Sequence, residues 1–112
     1  MKIAVATDGK GRLTDLVALH FGRAKSFLIY DSEKGNFNIY PNPELSGKEL
    51  PPDFLAREKV EVVIVFSLGP MAYEKFEKHQ IRMFKAAKGT IRENLQKFKD
   101  NELRTLTKKD IF

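Results

Sequence analysis

The sequence contains no cysteine. Disulfides, thiolate nucleophiles and thiolate metal sites are excluded together. Only two histidines are present, His20 and His79, so a closed zinc site built wholly from protein ligands is not expected. Any metal or cluster carried by this chain must be held by imidazole, carboxylate, backbone or outer-sphere contacts. No apolar run approaches the roughly 20 residues that cross a bilayer as a helix. The opening Met1-Lys2-Ile3-Ala4-Val5-Ala6 is apolar, but Asp8 follows at once. That stretch is too short for the apolar core of a secretory signal and reads better as a first strand. The expectations are a cytoplasmic location and no membrane partner.

What is present suits one folded unit. The chain has 112 residues, 42% of them hydrophobic, with nine Phe. That length is enough for one core and too short for two. The formal net charge of +5 is unevenly spread. Residues 1–74 carry nine Lys/Arg against ten Asp/Glu, whereas residues 75–112 carry eleven against five. A basic C-terminal third favours an anionic partner through long-range attraction, although each single Lys is read more simply as part of a solvated face. Fourteen Lys, few Gln and no Cys fit a thermophilic source.

The pattern along the chain alternates. Ile3-Ala4-Val5-Ala6 reads as a strand buried on both faces. Residues 9–23 read as a long ordered loop with a single helical turn, punctuated by Gly9, Gly11 and Gly22. Ser26–Asp31 and Phe37–Tyr40 flank turn residues that include Gly35, and so predict a β-hairpin. Pro51-Pro52 with Asp53 opens a helix that ends near Lys59. The β-branched run Val60–Phe66 predicts a central strand. Pro70 starts a second helix, and Gln80–Lys85 a last strand. Thr90-Ile91-Arg92-Glu93 has the spacing of a capping box, with Ile91, Leu95 and Phe98 on one face of the helix that follows. The charged segment from Asp100 to Phe112 is expected to fray or dock loosely. The strand–helix alternation of the second half implies right-handed crossovers and parallel strands, while the hairpin forces one antiparallel strand. The fold class is therefore α/β, a mixed five-stranded sheet covered on both faces.

Three segments could carry chemistry. Asp8-Gly9-Lys10-Gly11-Arg12 could turn backbone amides toward an anion. However, Thr14 stands where a dinucleotide fingerprint has its third glycine and no Lys-Ser or Lys-Thr pair follows, so a plain turn is the better reading. His20-Phe21-Gly22-Arg23-Ala24 brings an imidazole, an aromatic ring, a glycine and a guanidinium together before a strand. Imidazole ligates metals, and Arg forms paired hydrogen bonds with carboxylate or phosphate. The alternative is a His bonded within its loop and an Arg paired with Asp8 or Asp15, and spacing leaves both open. Ser67-Leu68-Gly69-Pro70 joins a central strand to a helix, at the end of the sheet where α/β proteins bind ligands; a routine strand-to-helix connection is the better reading unless another loop converges on it. His79 reads as a surface residue favoured by the helix C-terminus. No nucleophile is marked.

These residues resemble the dinitrogenase iron–molybdenum cofactor-binding family of small nitrogenase accessory factor-like proteins. The segments that carry the resemblance are Lys2–Asp8, Leu19–Ala24, Phe27–Asp31, Gly69–Tyr73 and Gly89–Leu95. His20-Phe21-Gly22-Arg23-Ala24 is the most specific of them. The resemblance covers residues 2–103 and leaves 104–112 as a charged tail after a domain of residues 1–103. It implies a three-layer α/β/α sandwich with a ribonuclease H-like motif, sheet order 3-2-1-4-5 and strand 2 antiparallel. It also implies a cofactor-binding region containing His20, Gly22 and Arg23, with Asp8 and Gly69 nearby and His20 as the metal ligand.

The leading expectation is a non-enzymatic binding or carrier protein. Its cargo would be an anionic metallocluster: iron–molybdenum cofactor, or an iron–sulfur type cofactor or precursor. Cluster-assembly proteins would be its partners, and nucleic acid is not expected. The alternative is a non-metal interaction module that keeps the fold and docks an acidic protein through its basic C-terminal third. A nuclease using Asp8, Asp15 and Asp31 ranks last, because nothing in the sequence forces those carboxylates together.

Overall fold

The computed structural model describes residues 1–112. Its strands are β1 (Lys2–Thr7), β2 (Ser26–Asp31), β3 (Asn36–Pro41), β4 (Val62–Val65) and β5 (Arg82–Lys85). Its helices are α1 (Pro51–Arg57), α2 (Pro70–Lys78) and α3 (Ile91–Lys99). The sheet order is β3-β2-β1-β4-β5. β1, β4 and β5 run parallel, and β2 is antiparallel to both of its neighbours. The predicted order 3-2-1-4-5 with strand 2 antiparallel is the observed one.

Strand alternation divides the core in two. Ala4, Ala6, Phe27, Ile29, Val63 and Val65 point to the face covered by α1 and α2, where they meet Phe54, Leu55 and Phe76. Ile3, Val5, Leu28, Val62 and Ile64 point to the other face, where α3 supplies Ile91, Leu95 and Phe98. The result is a three-layer α/β/α sandwich. β1 and β4 are buried along nearly their whole length because both faces are covered. No helix is long and apolar enough to cross a membrane.

Two strands are shorter than their apolar runs, for a local reason. α1 and α2 end with a residue in the left-handed region, Lys59 (φ 64°) and Gln80 (φ 60°). After α2, the Gln80 and Ile81 amides return to the carbonyls of Glu77 and Phe76. This helix-terminating geometry uses up the residues that alternation assigns to the strand. α3 begins as predicted: Thr90 Oγ1 accepts from the Glu93 amide at 3.1 Å, and Glu93 Oε1 accepts from the Thr90 amide at 2.9 Å.

The last nine residues differ from expectation. They are tied down, not frayed. The Lys85 amide donates to the Arg104 carbonyl (2.8 Å) and the Leu106 amide to the Met83 carbonyl (2.9 Å), so residues 104–106 pair along the outer edge of β5. Leu106 is buried beneath them. Charges that read as solvated pair with one another. Arg104 and Asp110 form a two-pronged ion pair at 2.8 and 2.9 Å, with Lys85 Nζ 3.7 Å from the same carboxylate. Further on, the Phe112 amide donates to the Leu68 carbonyl at 3.2 Å. The opposite edge is different. β3 carries no charged residue, and its backbone bonds only to β2.

Candidate functional site

A cleft of about 640 Å³ opens at the carboxyl ends of β1 and β4. It lies on the face covered by α1 and α2. Three separate stretches converge on it: residues 20–23, the turn 67–69 leading into α2, and the start of α1. This is the position where open α/β sheets leave a crevice.

The loop before β2 is built around Phe21. Its ring is buried, 4.9 Å from the Phe27 ring and 5.6 Å from Phe76. Residues 21–23 form one 3-10 turn over that anchor. With Phe21 pinned inward, His20, Gly22 and Arg23 are left exposed on the cleft side. Asn42 fixes the loop from behind. It is buried, and its amide nitrogen donates to the carbonyls of Gly22 (3.1 Å) and Ala24 (2.9 Å). Its side-chain oxygen accepts from the Glu44 amide at 3.0 Å. In the sequence Asn42 stands between Pro41 and Pro43, with nothing local to mark this role. Only the long-range contact, 20 residues apart, reveals its role.

Arg23 pairs with neither Asp8 nor Asp15; no carboxylate lies within ion-pair distance of it. Both aspartates are engaged elsewhere. Asp8 accepts from the Lys25 amide at 2.9 Å and does not line the cleft. Asp15 organises the Gly-rich loop. Its carboxylate accepts from the amides of Lys10 (3.3 Å), Gly11 (2.7 Å) and Arg12 (2.9 Å) and from the Thr7 hydroxyl (3.1 Å). The glycines follow from this. A Cβ on Gly9 would sit 2.5 Å from the Asp15 carboxyl carbon, and Gly11 has φ +87° with Ile39 packed against it. The loop does cradle an anion, but the anion is the protein's own side chain. Burial pushes the Asp15 carboxyl up, but the bonds from Arg12, Gly11, Thr7 and Lys10 outweigh it and hold the group below the usual carboxylate range.

Asp31 sits at the far end of β2, opposite Lys2 in the register, and accepts from the turn amides of Glu33 and Lys34. The three aspartates of the nuclease reading therefore do not converge. No group of three His, Asp or Glu side chains is placed to hold a metal ion.

The turn before α2 supplies the opposite wall. Gly69 is the N-cap of α2 and contributes no capping side chain. A Cβ there would meet nothing within 4 Å. The positive end of the helix thus opens directly onto the cleft. Lys75 follows Met71 by one helical turn and also lines it. Its ammonium lies 3.2 Å from Asp53 in the first turn of α1. His79, at the C-cap of α2, places Nε2 2.9 Å from the same carboxylate. The hydrogen bond from His79 holds the Asp53 carboxyl below its usual range against the effect of burial, with Lys75 adding to it. His79 is thus exposed, as expected of a surface residue, and has a partner that the sequence did not indicate. Leu45, Met71 and Phe112 expose 62%, 59% and 74% of their surface around the mouth, which gives a cationic cleft an apolar rim. The donors on offer are one imidazole, one carboxylate (Glu44) and the two cations Arg23 and Lys75.

Of the five residues expected at a cofactor site, the cleft unites His20, Gly22, Arg23 and Gly69 and leaves out Asp8. A family model described as dinitrogenase iron–molybdenum cofactor matches residues 1–101. The chain belongs to this family. Within the dinitrogenase iron–molybdenum cofactor family it is similar to an uncharacterized protein of Methanocaldococcus jannaschii. The two are 32% identical over 92% of this chain and 89% of that one. Among solved structures it is similar to a candidate NifB protein from Thermotoga, with a TM-score of 0.80 and 27% identity over 95% and 93% of the two chains. A candidate dinitrogenase from M. jannaschii gives 0.76 and 26%, over 96% and 95%. The apo form of the orange protein from Desulfovibrio gigas superposes with a TM-score of 0.83 at 24% identity, over 95% and 92%, and shows the shared fold. Family and neighbours together point to a small cofactor-binding or accessory protein.

Proposed function

We propose that this protein is a non-enzymatic carrier for an anionic metallocluster, either iron–molybdenum cofactor or an iron–sulfur precursor of it, held in the cleft at the ends of β1 and β4. The observation that carries the reading is the HFGRA loop. Phe21 and Asn42 lock it, so that His20 and Arg23 face the cleft opposite the open start of α2. His20 is the inner ligand, since imidazole is the one neutral nitrogen donor there. Arg23, free of any carboxylate partner, neutralises cluster charge. Gly22 and Gly69 keep the two walls low. A cluster held by one imidazole and outer-sphere cations is bound loosely enough to be passed on, which suits a carrier and an assembly partner that receives the cargo.

The test is anaerobic titration of the protein with isolated iron–molybdenum cofactor, beside His20→Ala and Arg23→Ala. Both side chains are exposed, so either substitution should change stability by less than about 0.5 kcal/mol. Saturable binding that is lost or weakened at least tenfold in both variants supports the assignment. Unchanged affinity in both variants would refute it. Binding of an acidic protein that falls with salt and ignores His20 would favour the interaction-module reading, with the basic C-terminal third as its surface.

A further inference from the structure

The charges around the cleft do not balance in favour of an anion unless a second cation takes part. Arg23 has no ion-pair partner, but the lining also carries the Glu44 carboxylate, whose Oε2 lies 3.5 Å from where a Cβ on Gly22 would stand. Beyond His20, Arg23 and Glu44, the one further ionisable side chain on the lining is Lys75. In the structure Lys75 is turned to Asp53, a residue outside the lining, at 3.2 and 3.4 Å. Asp53 does not depend on it, because His79 Nε2 bonds the same carboxylate at 2.9 Å. The Lys75 ammonium can therefore leave without stranding a carboxylate. Its side chain is about one-third exposed (34%), so the ammonium has solvent on one side to move through.

We propose that Lys75 is a second cationic contact for the anionic cargo, and that Asp53, steadied by His79, is the internal counter-anion the cargo displaces. This rests on the carrier reading above and names a residue and a competition within the same site. Asp53 is a positioning residue: in the unliganded protein it parks Lys75 beside the cleft, and it sets how strongly an anion must pull to recruit it. Affinity is thereby held below what the cations alone would give.

The competition makes a prediction that a simple clamp between α1 and α2 does not. If Lys75 and Asp53 only join the helices, Lys75→Gln and Asp53→Asn both lower the melting temperature slightly and leave affinity alone. If they compete as proposed, the two act in opposite directions on affinity. Titration with isolated iron–molybdenum cofactor should show Lys75→Gln weakening binding about fivefold, the size of one partly screened charge contact. Asp53→Asn should tighten it severalfold. In the double variant Asp53→Asn should have no further effect, because the cation it releases is gone. Raising the salt concentration should weaken wild type more than Lys75→Gln. Affinity within twofold of wild type in Lys75→Gln, or weaker binding in Asp53→Asn, would overturn the proposal. Absence of saturable binding by wild type would overturn it together with the carrier reading. Binding that ignores His20 and Arg23 yet follows the Lys75 pattern would sink the HFGRA assignment and leave this one standing.

Discussion

Removing the Asp15 carboxylate should unravel the loop that joins β1 to the cleft. Four donors converge on it. The Lys10 and Arg12 amides are exposed and can turn to water, so losing them costs little. The Gly11 amide and the Thr7 hydroxyl are partly buried and are left without an acceptor. At about 1–1.5 kcal/mol each, Asp15→Ala should destabilise by about 2–3 kcal/mol. With a urea dependence of ~1.2 kcal/mol/M for a chain of this size, the unfolding midpoint should fall by about 2 M. Asp15→Asn separates charge from geometry. One oxygen, Oδ2, takes Thr7, Gly11 and Arg12, while the other takes only Lys10 at 3.3 Å. An amide oxygen in the first position keeps three bonds, so the expected loss is only about 1 kcal/mol. The folded carboxyl is held below its usual value. Its contribution is therefore present above the unfolded pKa of ~3.9 and is lost as pH falls through the folded value. The gap between wild type and Asp15→Ala should be flat from about pH 6 to 8 and narrow below about pH 4. Urea titrations monitored by circular dichroism at pH 7 and pH 3.5 test this. A midpoint shift under about 0.5 M for Asp15→Ala at pH 7 would show that the four bonds merely replace hydration.

Two further outcomes follow from local geometry. Gln80 ends α2 with φ 60°, a conformation that costs a side chain more than it costs glycine, so Gln80→Gly should raise stability by about 0.5 kcal/mol, readable as a melting temperature about 2 °C higher. Asp110→Asn should release residues 104–112 from β5. The hydrogen bonds from Arg104 and from the Thr107 amide hold the Asp110 carboxyl far below its usual range. Hydrogen exchange should therefore find the Leu106 amide well protected in wild type even at pH 4 and rapidly exchanging in the variant. Equal protection in both would mean that Leu106 burial alone holds the segment.

What the sequence shows in advance depends on how local the cause is. The run from Val60 to Phe66, the prolines at 51–52 and 70 and the Thr90–Glu93 spacing each act over a few residues, and each marks its element correctly. Crossover handedness applied to that alternation implies a mixed sheet, while its order, 3-2-1-4-5, is implied by the family resemblance. Strand limits are less visible: whether Gln80 belongs to helix or strand turns on a left-handed residue that composition does not flag. Contacts across long separations leave no local trace. Nothing near Asn42 announces that it will hold Gly22 and Ala24, and Asp53 and His79 stand 26 residues apart. The Gly-rich loop shows the limit clearly. Its glycines do mark an anion cradle, as the pattern suggests, but only the fold reveals that Asp15 occupies it. The charged tail misleads for the opposite reason. Charge density suggests solvation, yet Arg104, Asp110 and Lys85 neutralise one another, and together with the buried Leu106 they seat the segment.

The two sides of the sheet are not equivalent, and this limits how the molecule can associate. Residues 104–106 already occupy the outer side of β5, so a strand from another molecule cannot pair with β5 itself. On β3 the backbone groups turned away from β2 have no partner, and no charged side chain guards them. Association through strand pairing would therefore use β3, joining two chains edge to edge.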